Sequence, residues 1–156
     1  MKSLILLITL FFITIIISPS LMSFRVNEVT FNYTIAGCGE TINGTATRAP
    51  QEDKTAMIDL NGTSLVYERG VNHLCCRKVE VNYTMDNQII NIYEKWSGLG
   101  CRCECYTDIK AIINGLSQGE YVVNVYETGI EPETNETMTP RLLVTQIVQH
   151  PGLTSP

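Results

Sequence analysis

Residues 78–93, KVEVNYTMDNQIINIY, carry the reading of the fold. Val79, Val81 and Tyr83 alternate with Lys78, Glu80 and Asn82, a period of two that puts apolar groups on one strand face and polar groups on the other. Asp86-Asn87 marks a turn, and Ile90-Asn91-Ile92-Tyr93 returns as a second strand. Upstream, residues 56–60 and 64–68 flank Asn61-Gly62, a strong short-range hairpin signal. Val29, Phe31, Tyr33 and Ile35 alternate with Thr30, Asn32 and Thr34, and Gly37-Cys38-Gly39 ends that strand. Residues 40–54 are polar, contain Pro50 and read as a loop. Downstream, Ser97-Gly98-Leu99-Gly100 breaks the pattern. Ile109, Ala111 and Ile113 alternate again, as do Tyr121, Val123 and Val125, and a last strand runs over about residues 141–148. No segment after residue 24 sustains a helical period, so seven or eight strands imply an all-β sandwich or small barrel.

The chain has 156 residues, 44% of them hydrophobic and 17% charged, which suits one folded domain and excludes a disordered chain. Its net charge of −5 and the lack of any cationic run beyond Arg77-Lys78 argue against nucleic acid and against anionic membrane surfaces. Residues 1–23 read as a signal peptide: Lys2 is a minimal positive region, residues 4–17 (LILLITLFFITIII) are apolar, and Ser18-Pro19-Ser20 breaks the helix. The rival is an uncleaved anchor, because residues 4–22 are long enough to reach across a bilayer core of about 30 Å. Residues 24–150 then form a single β-sandwich domain, and 151–156 a C-terminal tail. Asn-x-Thr sequons at Asn32, Asn43, Asn61, Asn82 and Asn135 agree with export, where each is a glycan acceptor if exposed.

The stretch Ile113-Asn-Gly-Leu116-Ser-Gln-Gly119-Glu-Tyr121 resembles the crossing into strand F of an immunoglobulin-like antiparallel sandwich. The resemblance implies a tyrosine corner at Tyr121, which is a fold signal and carries no function. The wider order of strand, Cys75-Cys76, two strands, Cys101-x-Cys103-x-Cys105, strand and Gly-Leu-x-x-Gly-x-Tyr resembles a group of small exported bacterial and archaeal proteins of immunoglobulin-like fold. That group brings no named activity with it, and Cys38 lies outside its pattern.

Six cysteines in an exported chain read as disulfides. On an extended strand Cys101, Cys103 and Cys105 would share a face at about 6.6–6.8 Å spacing, with Cβ atoms too far apart to bond one another. Cys75 and Cys76 are therefore expected to bond two of those three, and Cys38 the third. A zinc site built on His73, Cys75, Cys76 and the 101–105 group is the sharper alternative, but Cys-x-Cys on a strand is a poor chelate and no Cys-x-x-Cys occurs. Neither a metal nor a cofactor is implied.

Nothing supports an enzyme. His73 reads as part of a turn and His150 as part of a Pro-flanked tail. Asp59, Asp86 and Asp108 read as strand-end turn residues, and there is no Gly-x-Ser-x-Gly, phosphate loop or His-Glu-x-x-His. Trp96 reads as a partly buried cap of the sandwich, with an exposed binding anchor as the alternative. Residues 127–140 read as a long acidic loop carrying the Asn135 sequon. The expected protein is a secreted or cell-surface binding or structural module whose partner is an extracellular protein or an envelope component. A secreted protease inhibitor presenting Gly98-Leu99-Gly100 beside Cys101 is the second class.

Overall fold

A strand with one apolar face must bury it, and this chain does so by laying two sheets against each other. The computed structural model describes residues 28–37, 41–42, 45–46, 51–99 and 101–150. The expected leader at 1–23, Cys38, the Asn43 sequon and the tail at 151–156 lie outside them. The long strands are β1 (Thr30–Gly37), β4 (Lys54–Asn61), β5 (Ser64–Leu74), β6 (Lys78–Asp86), β7 (Ile89–Ser97), β8 (Glu104–Asn114), β9 (Gly119–Ile130) and β10 (Thr137–His150). Two short strands, β2 (Thr41–Ile42) and β3 (Thr45–Ala46), pair with each other inside the segment read as a loop. One four-stranded sheet has the order β1-β8-β5-β4 and the other β10-β9-β7-β6, so the expected β-sandwich of seven or eight strands is the fold, with eight long strands.

Both hairpins close where the turn chemistry places them. Gly62-Thr63 joins β4 to β5 behind the pair Asn61/Ser64, with Gly62 at φ +57°. Asn87-Gln88 joins β6 to β7 behind Asp86/Ile89, with Asn87 at φ 53°, a conformation Asn tolerates better than most residues. Every pairing among the described residues is antiparallel except β7/β9. Those two run parallel because β8 lies between them in sequence but belongs to the opposite sheet, and so serves as their crossover.

The inward faces supply Leu65, Tyr67 and Val71 from β5, Ile109, Ala111 and Ile113 from β8, Ile90, Ile92 and Trp96 from β7, and Tyr121, Val123 and Val125 from β9. Tyr121 is buried, and its hydroxyl donates to the Ser117 carbonyl at 2.9 Å, closing the corner ahead of β9. Leu116, also buried, donates its N–H to the Thr63 carbonyl at 3.1 Å and ties that corner to the β4/β5 turn.

Several local expectations are corrected. His73 lies within β5 opposite Cys105, because that strand continues to Leu74. Asp59 and Asp108 are interior to β4 and β8, and only Asp86 ends a strand. Cys101 and Cys103 precede β8 in irregular chain, so they do not share a strand face with Cys105. The acidic loop shrinks to residues 131–136, since β9 and β10 stay paired beyond it: Arg141 bonds the Glu127 carboxylate, and Pro140 is accommodated at a register shift on the edge strand.

Candidate functional site

The chain crosses between the sheets twice at one end of the sandwich. Leu74-Cys75-Cys76-Arg77 takes β5 to β6 in a tight turn, with the Arg77 N–H donating to the Leu74 carbonyl at 2.9 Å. Residues 98–103 take β7 back to β8. Disulfides join the crossings as Cys75–Cys103 and Cys76–Cys101, with Cα separations of 5.6 and 5.7 Å. The Cys75 N–H donates to the Cys103 carbonyl at 3.0 Å, so the two arches are also hydrogen-bonded. Cys105 is disulfide-bonded as well, and no described cysteine is free. Its expected partner, Cys38, is outside the described residues. Disulfides of this kind belong to an oxidising environment.

Beneath the staple sits Trp96, 2% exposed, with the His73 ring centroid 4.8 Å away and the Arg77 guanidinium 5.3 Å over its ring. Arg77 also donates to the Ile130 carbonyl at 2.9 Å. His73 Nδ1 meets the Leu74 carbonyl at 2.9 Å, and Nε2 meets the Thr107 hydroxyl at 2.8 Å. A carbonyl only accepts, so the proton belongs on Nδ1 and Nε2 accepts from Thr107. Burial, assisted by the Arg77 charge, holds the His73 pKa below its ordinary value and keeps the ring neutral. Among the described residues no carboxylate is hydrogen-bonded to this imidazole, and no described cysteine is free.

The sandwich holds a charge that sequence reading missed. Glu94 is 0% exposed and lies on the inward face of β7 between Ile92 and Trp96. Tyr67 donates its hydroxyl to Oε1 at 2.5 Å, and Arg69 donates to Oε2, both from the facing strand β5. Desolvation raises the Glu94 pKa despite the opposing Arg69 charge, and burial next to Glu94 raises that of Tyr67. A Glu in step with Ile90, Ile92 and Trp96 was the available signal.

Among the described residues, an open groove of about 340 Å³ lies on the outer face of the β1-β8-β5-β4 sheet. Thr34, Lys54, Met57, Glu68, Asp108 and Lys110 are among its walls, contributed by all four strands. Lys54 pairs with Asp108 at 3.2 Å and Lys110 with Glu68 at 2.6 Å, so the groove presents neutralised charges of both signs. The Asp108 carboxylate raises the Lys54 pKa, first by its hydrogen bond and then by its charge. These residues are far apart in sequence, and no local motif marks them.

Four of the five sequon asparagines fall within the described residues, and all four are exposed: Asn32 on β1, Asn61 at the end of β4, Asn82 on β6 and Asn135 in the β9–β10 turn. Leu99, at the crossing into Cys101, is 60% exposed. No family model, curated protein or solved structure matches this chain.

Proposed function

We propose that this chain is an exported, non-catalytic binding module of the cell exterior, with the groove on the β1-β8-β5-β4 face as its ligand site. The double staple across the two inter-sheet crossings carries the reading, because such crosslinks persist where thiols are oxidised and hold a binding surface rigid. Exposed sequons on both sheets support the same address. The volume of the groove is in the range of small-ligand and peptide-segment sites, and it is built on strands, which hold side chains better than loops do. Alternating Lys and carboxylate walls suit a ligand bearing both charges, such as a segment of an extracellular protein or of an envelope component. The net charge of −5 disfavours a polyanion.

The test is a binding screen of the wild-type protein against extracellular peptides and envelope fragments, repeated with Lys110→Glu and Lys54→Glu. A ligand that loses at least about tenfold in either variant, roughly 1.4 kcal/mol, supports the groove. A ligand whose affinity ignores both substitutions moves the site elsewhere, and turnover of any ligand overturns the non-catalytic reading. Leu99 favours a second reading, protease inhibition, because it is exposed on a turn pinned by Cys76–Cys101. Nanomolar inhibition in a protease panel, lost in Leu99→Asp, would put the function there instead.

A further inference from the structure

The outer face of the second sheet carries a cross-strand row of a distinct kind. Asn82 on β6 is the register partner of Tyr93 on β7, which is the partner of Tyr126 on β9. Their chain neighbours Val81, Ile92 and Val125 are buried in the core, so the row stands on the outside. The two tyrosine rings stack, 5.4 Å between centroids and 18° between planes. Tyr126 thus covers one face of the Tyr93 ring, and the opposite face looks toward β6, where Asn82 is exposed. Polar groups flank the row on both sides. On one, Thr84, Asn91, Asn124 and Thr145 form a continuous hydrogen-bonded ladder across the four strands, at 3.4, 3.0 and 2.9 Å. On the other, Glu80 faces Lys95.

We propose that this face is the seat of the protein's own glycan: an N-linked hexosamine on Asn82 packs its C–H face against the Tyr93 ring. Asn82-Tyr83-Thr84 is a sequon, so the acceptor stands in the row that would receive the sugar. Strands are about 4.8 Å apart, so the first hexosamine of a glycan on β6 reaches the open, β6-facing side of the Tyr93 ring on β7. A pyranose offers an apolar C–H face to an aromatic ring and polar edges to its surroundings, which matches an open Tyr93 ring face bordered by Asn, Thr, Glu and Lys. The inference rests on the exported reading above. It adds that the glycan is a structural part of the sandwich.

The test is expression of the full chain in insect cells, which build an N-linked core of two hexosamines. Site occupancy is read by peptide mass spectrometry, Tyr93 ring contacts by NMR, and Tm for the wild type, Asn82→Gln, Tyr93→Leu and the double variant. The expected result is an occupied Asn82, sugar-to-Tyr93 proton contacts, and a Tm loss of a few degrees in Asn82→Gln that disappears in the Tyr93→Leu background. The NMR contacts decide the matter on unmutated protein if Tyr93→Leu folds poorly. An occupied Asn82 without those contacts, or with the same Tm loss in both backgrounds, overturns the proposal. So does binding of free chitooligosaccharide to Asn82→Gln protein through Tyr93, which would make the face a reader of external glycans. An empty Asn82 beside occupied Asn32, Asn61 or Asn135 overturns this proposal alone, whereas a protein retained inside the cell with every sequon empty overturns the export reading with it.

Discussion

Glu94 is the residue whose environment least resembles its chemistry. A carboxylate out of contact with water, held by Tyr67 and Arg69, contributes little net stability as an ion pair but is costly to break. Glu94→Ala leaves the Arg69 guanidinium, itself mostly buried, without its partner, and we expect a loss of about 3–5 kcal/mol in urea unfolding. Replacing the whole set, as Tyr67→Phe, Arg69→Leu and Glu94→Leu together, should cost much less or even stabilise, since no buried charge remains. If the triple variant unfolds as readily as Glu94→Ala, the cluster does more than satisfy itself. The pKa directions set a pH dependence. Glu94 is raised in the folded state, so its favourable contribution is complete below the ordinary carboxylate range and is lost as pH rises through the folded value. His73 is lowered, so the unfolded chain takes up a proton first, and stability falls as pH drops below about 6.5. Urea midpoints across pH should therefore lose their alkaline-going decline in Glu94→Gln and their acid-going decline in His73→Gln.

Elements divide cleanly into those legible locally and those made by tertiary contact. The β4/β5 and β6/β7 hairpins could be read because Asn-Gly and Asp-Asn sit between alternating runs, and both strand period and turn chemistry are short-range. The end of β5 could not. The expected strand stops at residue 68 and His73 reads as part of a turn, yet residues 69–73 are strand because β8 pairs them residue by residue. The same holds for residues 127–130 and 137–141, where β9/β10 pairing around a register shift at Met138/Arg141 overrides a polar composition. Gly129 shows how such a constraint hides in sequence. Its φ is +127°, and an added Cβ would fall 1.9 Å from the Trp96 carbonyl oxygen in the neighbouring parallel strand. Gly129→Ala should therefore prevent the β7/β9 pairing there, lowering Tm well beyond an ordinary surface substitution. The corner at Tyr121 is a milder case with one removable bond. Tyr121→Phe leaves the ring packed and deletes the hydroxyl bond to Ser117, and calorimetry should register a loss of about 1 kcal/mol.

At the scale of the whole molecule, edges and crossings govern behaviour. The groove draws residues from four strands and no local motif marks it, whereas the cysteine spacing alone implied that Cys75 and Cys76 bond two of the 101–105 group, as they do. Sequons stand on three of the four sheet-edge strands, Asn32 on β1, Asn61 on β4 and Asn82 on β6, and Pro140 stands on the fourth, β10. Bulky sugars and a missing N–H both obstruct strand addition at an open edge. The two described crosslinks span separations of 28 and 25 residues, but they are not independent. Once Cys76–Cys101 is closed, Cys75–Cys103 closes a ring of only a few further residues, and the reverse is equally true. Loop entropy then assigns each bridge about 2 kcal/mol when the other is present, whereas removing both releases a long loop and costs about 5 kcal/mol. The pairs Cys75→Ser with Cys103→Ser, Cys76→Ser with Cys101→Ser, and all four together, compared by guanidinium unfolding, test this directly. A second pair that costs clearly more than the first is the signature of overlapping loops. Equal increments would mean that each disulfide acts through local packing around Trp96, His73 and Arg77, with little effect on the unfolded chain.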